Sequence, residues 1–477
     1  MTQFLKKYYH LVLPAVCILA VAAASIAAWL LTEPATSLPA PDDSIQPQPI
    51  QHLLSFMPLI IGAILCIPDF FCTTPLRKHS LSFNSLLSII IAIMLGALTL
   101  SERTIVITTN FFFIAVLIGM LTKIITNYKL HNNISVFSRN SAAYTLIPFF
   151  IIYFCTIAVS YFWSDNKDYA SLIIRRCLVI AAMPLAFSTI NISKTQWEYI
   201  MLFFFRSSLA FTMISVVCWF SSAKYLNVDC TSFLLPYKHT IASRSSWEWI
   251  YRWTDYWHPS YHAWVLGAVI PGAITLLKRK IIGYPEYILY LALVALLVIL
   301  TQSRIGVLIF ATALLLSPFA WLNHNKKLRL TYAIVLIIAA IGLITFALCT
   351  ENTFSLDSAR QNIYRSALNV LKHNLWIGVG VGDLPLALQS PPHQHPHNQF
   401  LCDWMQAGIP AIAAELTMII AVTARALKQH NLTLLIFIAI SLLFMLIESP
   451  LTLIKGIAVF TTITLFFATQ TQHYSRK

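Results

Sequence analysis

Charged residues are scarce in this sequence. Only 10% of the 477 residues are charged, whereas 58% are hydrophobic. This composition excludes a soluble domain. Apolar runs instead repeatedly exceed the roughly 18 residues that are needed to cross a bilayer. The sequence therefore predicts a polytopic helical membrane protein.

Clustered positive charge and paired cysteines are also missing. The 32 basic residues outnumber the 18 acidic ones, but they are scattered between apolar runs and form no patch or stripe. We therefore expect no nucleic-acid partner. The nine cysteines are odd in number and show no CxxC spacing, so they define neither a disulfide framework nor a metal site. The first apolar run, 11–31, is too long for a signal-peptide core and predicts a retained helix.

The apolar runs predict an all-α bundle of about 12 to 14 transmembrane helices, which forms a single integral membrane domain over residues 1–477. We place the spans at 11–31, 53–71, 84–100, 105–122, 142–163, 170–190, 197–219, 261–277, 284–302, 305–322, 330–349, 401–424, 432–449 and 451–469. An even number of spans puts both termini on one side. If that side is the cytoplasm, more than half of the 32 basic residues fall on inner segments, as the positive-inside rule requires.

Two long loops lie on the outer side in this arrangement. The first, 221–260, is rich in Trp and Tyr, which is typical of a segment at the membrane interface. The second, 350–398, contains an amphipathic run at 358–372, then a glycine turn, and then a histidine-rich stretch that leads into an apolar helix. This second loop is the candidate catalytic loop.

Three histidines alternate along the end of that loop, at His393, His395 and His397. They could bind zinc, although only Asp403 supports such a site, or they could belong to a plain surface loop. They could also supply an acid or base, because imidazole titrates near neutrality. We expect His397 to be the base and expect no metal. Asn398 and the apolar residues after it place His397 at the first turn of the following helix, nearest the membrane surface.

Several other residues could bind an anion or a substrate at the outer surface. Arg304, at the outer end of a span, could reach the lipid headgroups or clamp a diphosphate through its planar guanidinium. Arg360 and Arg365 lie about 140° apart around a helix, so they could grip different parts of one anion. The glycine turn at Gly378 to Gly382 is weak evidence for a phosphate-binding loop, because no strand precedes it. His258 begins another span.

Four features of the sequence resemble the O-antigen ligase and O-antigen polymerase superfamily of bacterial envelope glycosyltransferases. The pair Ser303-Arg304 ends one span, and the segment 360–368, Arg-Gln-Asn-Ile-Tyr-Arg-Ser-Ala-Leu, follows about fifty residues later. Gly378-Val-Gly380 comes next. His397-Asn398 is then followed by nine residues and Gly408, which is similar to the ligase signature. The earlier segments 160–164 and 258–261 are also similar to the family.

This resemblance implies a GT-C-like fold in the bacterial inner membrane, with both long loops facing the periplasm. It implies an inverting, metal-independent transfer without a cofactor. The donor would be a glycan on undecaprenyl diphosphate, and the acceptor would be lipid A-core oligosaccharide. His397 would be the general base. The residues that the resemblance places around the departing diphosphate and the substrates are Arg304, Arg360, Arg365, Asn398, Gly378, Gly380 and His258.

Three alternatives to a ligase stay open. A polymerase of the same superfamily would use the same donor with another lipid-linked glycan as acceptor, and a protein O-oligosaccharyltransferase would use a protein. The spacing from His397-Asn398 to Gly408 favours the ligase. A lipid-linked glycan flippase or transporter would show internal repeats and broken helices near mid-membrane, whereas the polar groups here gather at one outer face.

Overall fold

The computed structural model is helical throughout the residues that it describes. These are 57–72, 83–100, 102–129, 143–225, 259–301, 303–320, 358–388 and 395–470, with a few single positions near 17 and 330. Within them the structure contains helices and turns and no strand. The predicted all-α class is confirmed.

The helices follow the apolar runs of the sequence. In chain order they are α1 Met57–Cys72, α2 Phe83–Ala97, α3 Glu102–Lys129, α4 Ile147–Val159, α5 Lys167–Ser188, α6 Lys194–Tyr225, α7 Pro259–Lys278, α8 Tyr284–Leu300, α9 Arg304–Leu316, α10 Ser358–His373, α11 Leu384–Ala387, α12 Gln399–Lys428, α13 Leu432–Met445 and α14 Ile454–Ala468. Short 3₁₀ segments lie at Tyr144–Leu146, Ser160–Trp163, Ser317–Ala320 and Pro450–Thr452.

Each predicted span from 53 to 322, and each from 401 onward, overlaps one of these helices. Among the described residues, six helices are long and apolar enough to cross a membrane: Glu102–Ile125, Tyr144–Trp163, Lys167–Ser188, Lys194–Val217, Pro259–Lys278 and Gln399–Lys428. Several shorter apolar helices accompany them. The chain is therefore a polytopic helical membrane protein, as predicted.

Three predicted segments lie largely outside the described residues. They are the spans 11–31 and 330–349 and most of the first long loop, 221–260. At the edges of that loop, α6 continues to Tyr225 and α7 begins at Pro259. The second loop, 350–398, is described over 358–388 and from 395 onward.

The described chain divides into two compact units, of which the first comprises Met1–Ser138 and Thr189–Phe310. Its central helix is α6, against which α1, α2, α7 and α8 pack. Arg206 on α6 and Glu286 on α8 form a fully buried ion pair, with 2.9 Å between Nε and Oε1. Arg206 also donates to the carbonyl of Leu65 at 2.6 Å. These contacts confirm that Arg206 faces the helix bundle, since a charge facing lipid would be costly.

The second unit comprises Arg139–Ser188 and Ala311–Lys477. In it α12 packs against α4 and α13, and α5 packs against α4 and α14. The amphipathic helix α10 lies against the first turns of α12, because its apolar side chains recur at helical spacing. The side chains that form this small core are Ala367, Leu371, Leu384, Leu388, Cys402 and Met405.

Candidate active site

The predicted His–Asn pair lies immediately before α12. Asn398 is the N-cap residue, and its Oδ1 accepts a hydrogen bond from the backbone N–H of Leu401 at 3.0 Å. Asparagine is favoured at this position for that reason. His397 has a φ of 49°, in the left-handed region that few non-glycine residues adopt. The prediction that His397 lies in the first turn is wrong. It precedes the helix, because Asn398 takes the capping position.

A carboxylate from the segment after α13 contacts the ring of His397. The distance from His397 Nδ1 to Glu448 Oε2 is 3.1 Å. Glu448 is largely buried, whereas 38% of the His397 side chain is exposed. An ionised carboxylate only accepts hydrogen bonds, so it selects the tautomer that carries its proton on Nδ1. Nε2 then holds the free lone pair, which is the state that a general base requires.

Hydrogen bonds from Asn398 hold this carboxylate-bearing segment beside the histidine. The backbone N–H of Asn398 donates to Ser449 Oγ at 3.2 Å, and its side-chain Nδ2 donates to the carbonyl of Leu446 at 3.1 Å. Glu448 lies between these two contacts. The residue that caps α12 therefore also positions the partner of His397.

Helix α10 brings an arginine and a tyrosine to the same place. Arg360 Nη2 lies 3.8 Å from Glu448 Oε1, and the Tyr364 hydroxyl donates to the backbone carbonyl of His397 at 3.4 Å. Burial raises the pKa of Tyr364, Arg360 opposes that rise, and Glu448 supports it. The phenol therefore stays protonated at neutral pH and serves as a donor.

The other two predicted arginines have exposed side chains. Arg365 is on the exposed face of α10, about 140° around the helix from Arg360. Arg304 begins α9 in the first unit and also has an exposed side chain. The structure thus brings Arg360 to the His397 and Glu448 pair. The roles predicted for Arg304 and Arg365 stay predictions.

The predicted glycine turn packs against an interruption in α12. Ala407–Gly408 has non-helical backbone angles, with φ values of −137° and 72°. The interruption frees the carbonyls of Met405 and Gln406, which accept hydrogen bonds from the backbone N–H groups of Val379 at 2.7 Å and Gly380 at 3.0 Å. The turn thereby gives hydrogen-bond partners to both carbonyls. Without partners, their burial in an apolar environment would cost free energy.

This packing requires glycine at both predicted substrate-binding positions of the turn. Gly378 and Gly380 have φ values of 70° and 101°. A Cβ at Gly378 would meet the backbone of α12, and one at Gly380 would meet Ser164. The N–H of Gly378 donates to the carbonyl of Asn374 at 3.0 Å. The N–H groups of the turn are thus engaged within the protein, so a phosphate could bind them only by displacing these partners.

The segment 160–164, which resembles the family, supports the other side of the turn. Ser160 Oγ accepts from the N–H of Val381 at 3.2 Å, and Ser164 Oγ accepts from the N–H of Gly382 at 3.0 Å. The carboxylate of Asp383 accepts from two backbone N–H groups just before α5, at 2.7 and 2.9 Å. The glycine turn, the segment after α4 and the start of α5 therefore form one packed structure.

Two of the predicted site residues, His258 and His393, lie outside the described residues, and His395 is partly buried in the turn before His397. Within the described ranges, no group of three or more His, Cys, Asp or Glu side chains is arranged to hold a metal ion.

Residues 289–416, about a quarter of the chain, match the family model described as O-Antigen ligase. The matched stretch contains the predicted arginines, the glycine turn and the His397-Asn398 pair. This segment is similar to the O-antigen ligase family. The match supports a glycosyltransferase-type function shared by ligases and polymerases of that superfamily. A search of the curated proteins found no match to the chain.

The matched segment ends before Glu448, and the sequence alone predicts no role for this residue. The available signal was its position, because an acidic residue inside an apolar run must face the bundle, an interface or water. Tyr364 was missed as well, since nothing in a helical pattern shows which tyrosine will reach the backbone of His397.

Proposed function

We propose that this protein is an O-antigen ligase, which transfers a glycan from a lipid-linked diphosphate to a sugar hydroxyl at the outer face of the inner membrane. The contact between His397 and Glu448 carries this proposal. It pairs a partly exposed imidazole with a buried carboxylate, and His397 lies within the segment 289–416 that matches the O-antigen ligase family.

In the proposed reaction, Nε2 of His397 accepts the proton of the acceptor hydroxyl. The hydroxyl oxygen attacks the anomeric carbon, and the bond from that carbon to the diphosphate oxygen breaks. The diphosphate leaves with the bonding electron pair. Attack opposite the leaving group inverts the anomeric centre. Glu448 stabilises the imidazolium that forms, as the carboxylate does in serine hydrolase triads.

The departing diphosphate gains negative charge, and arginines suit it because the guanidinium fork matches phosphate oxygens. Arg360 is the arginine beside the base, at 3.8 Å from Glu448 Oε1. Because this ion pair is long, the other N–H groups of the Arg360 guanidinium can donate to a ligand. Arg304 and Arg365 remain proposed members of this clamp.

We propose undecaprenyl diphosphate as the lipid of the donor and lipid A-core oligosaccharide as the acceptor. The spacing from His397-Asn398 to Gly408 supports a ligase over a polymerase. A strain that lacks this gene distinguishes the two. Loss of all polymer, with accumulation of free lipid-linked glycan, supports a ligase, whereas one repeat unit still joined to the core shows a polymerase.

The direct test measures transfer of glycan from purified lipid-linked donor to lipid A-core in detergent, with a chelator present. We expect His397→Ala to lose about 10² to 10⁴ in rate, which is typical for removal of a general base. His393→Ala and His395→Ala should be much milder. His373→Ala is the matched control, because His373 is exposed at the end of α10. A fully active His397→Ala protein, or activity that chelator removes and zinc restores, refutes the proposal.

A further inference from the structure

A chain of buried hydrogen bonds runs behind His397, from α12 to α4. Gln399 Nε2 donates to Asp403 Oδ1 at 2.7 Å, and the Tyr153 hydroxyl donates to Asp403 Oδ2 at 2.7 Å. All three side chains are buried. Asp403 accepts a hydrogen bond from Gln399 on one oxygen and from Tyr153 on the other. The amide of Gln399 must therefore turn its NH₂ group, and not its oxygen, toward Asp403.

In that orientation the amide oxygen of Gln399 points away from Asp403 and meets the chain that follows Glu448. Gln399 Oε1 accepts from the backbone N–H of Leu451 at 2.8 Å. Leu451 lies in the 3₁₀ segment Pro450–Thr452, which begins two residues after Glu448. The chain of contacts therefore ends three residues from Glu448, two residues beyond Ser449, which Asn398 contacts.

We propose that Gln399 is a positioning residue that holds Glu448 against His397, and that Asp403 and Tyr153 act through it. This inference rests on the proposed function of His397. The 3.1 Å contact between Nδ1 and Oε2 is within hydrogen-bond range by only a few tenths of an ångström. A shift of about 1 Å in the segment after Glu448 would break this contact. Misplacement of a catalytic group by that distance can lower the rate by up to about 10²-fold.

Among the described residues of the second unit, His397 and Arg360 are ionisable side chains that contact Glu448, and Tyr364 lies close by. Gln399 itself carries no charge, so its substitution removes no ionisable group from the surroundings of Glu448. A positioning role can therefore be separated from an electrostatic one.

The test is a double-mutant cycle on the full-length protein, with glycan transfer as the measurement. Gln399→Leu removes both amide contacts, and Glu448→Gln removes the carboxylate on which Gln399 acts. We expect Gln399→Leu to lower kcat about 10- to 100-fold with little change in KM. In the Glu448→Gln background it should cost no more than about a further twofold, because coupled sites are not additive.

Asn431→Leu is the matched structural control, since this buried amide caps α13 and donates to the carbonyl of Phe467 at 2.7 Å. Any loss that it causes should multiply with that of Glu448→Gln. If Gln399→Leu does not accumulate in the membrane, Tyr153→Phe removes only the far hydrogen bond and should show the same coupling with a loss of about a few-fold.

Full activity of Gln399→Leu, or losses that multiply with those of Glu448→Gln, would overturn the positioning role and leave the network structural. Failure of the proposed function is recognised separately, because His397→Ala and Glu448→Gln would then both transfer glycan normally.

Discussion

The guanidinium of Arg360 lies 3.8 Å from Glu448 Oε1, while the other oxygen of the same carboxylate meets His397. One carboxylate thus links the proposed base to a cation that could meet the leaving group. A diphosphate that binds Arg360 would compete with Glu448 for its N–H groups. The two halves of the proposed chemistry are therefore connected through a single side chain.

Substitution of Glu448 by glutamine should impair the base without removing it. The amide can offer its N–H to Nδ1, which favours the tautomer with the proton on Nε2. We expect kcat for glycan transfer to fall by about 10² to 10⁴, with KM little changed. Asp168→Asn, an exposed carboxylate in the first turn of α5, is the control. A Glu448→Gln protein with normal kcat would show that this contact does not serve the reaction.

Arg360→Lys should lose most activity although the charge is kept, because an ammonium lacks the planar fork that binds two phosphate oxygens. Transfer assays should compare it with Arg304→Lys and Arg365→Lys, which the sequence also predicts to be impaired. Since Arg365 is on the exposed face of α10, we expect its lysine variant to be the milder of the two on that helix. Near-normal rates for all three variants would rule out the diphosphate clamp and favour headgroup contacts instead.

Gly408→Ala should destabilise the second unit. The backbone angles of 72° and −162° at Gly408 are essentially restricted to glycine, and a Cβ there would meet the carbonyl of Trp376 and the N–H of Ile377. Strain of this kind costs about 1 to 3 kcal/mol. The unfolding temperature in detergent should fall, and Gly408→Asn should do no better because the backbone contact remains. An unchanged unfolding temperature would show that the turn does not need this interruption.

The orientation of α12 predicts where reporter proteins are active. Its thirty residues are long enough to cross the membrane, with His397 before one end and the basic residues Arg425 and Lys428 at the other. A cytoplasm-active reporter fused near Gln389 should be silent, whereas one fused after Gln429 should be active. The reverse pattern would invert the proposed topology.

The helices could be predicted because hydropathy and helical periodicity are local properties. Runs of about 20 apolar residues must be helical in a membrane, since each backbone polar group needs a partner within its own segment. The amphipathic run at 358–372 was predicted on the same basis and is confirmed in α10. The position of Asn398 before an apolar run indicated a helix start. However, the cap is Asn398 and the helix begins at Gln399, so His397 precedes the helix and does not lie in its first turn.

The interruption of α12 could not be predicted from the run that contains it. Gly408 followed by apolar residues is compatible with a continuous helix, and its observed conformation depends on a turn some thirty residues earlier. That turn supplies the N–H groups that donate hydrogen bonds to the freed carbonyls of Met405 and Gln406. The physical reason is that a helix can break in an apolar setting only where another segment satisfies its backbone.

The sequence by itself determined the class of protein and the helical spans that the structure describes, and it predicts that His397 is the base among the histidines of its loop. Only the tertiary structure decided that Glu448 would be the partner of His397, and that Arg360 would face this pair while Arg365 is exposed. Hydropathy records which residues avoid water, but it carries no information on which polar groups meet. Those contacts between polar side chains depend on how α10, α12 and the segment after α13 pack together.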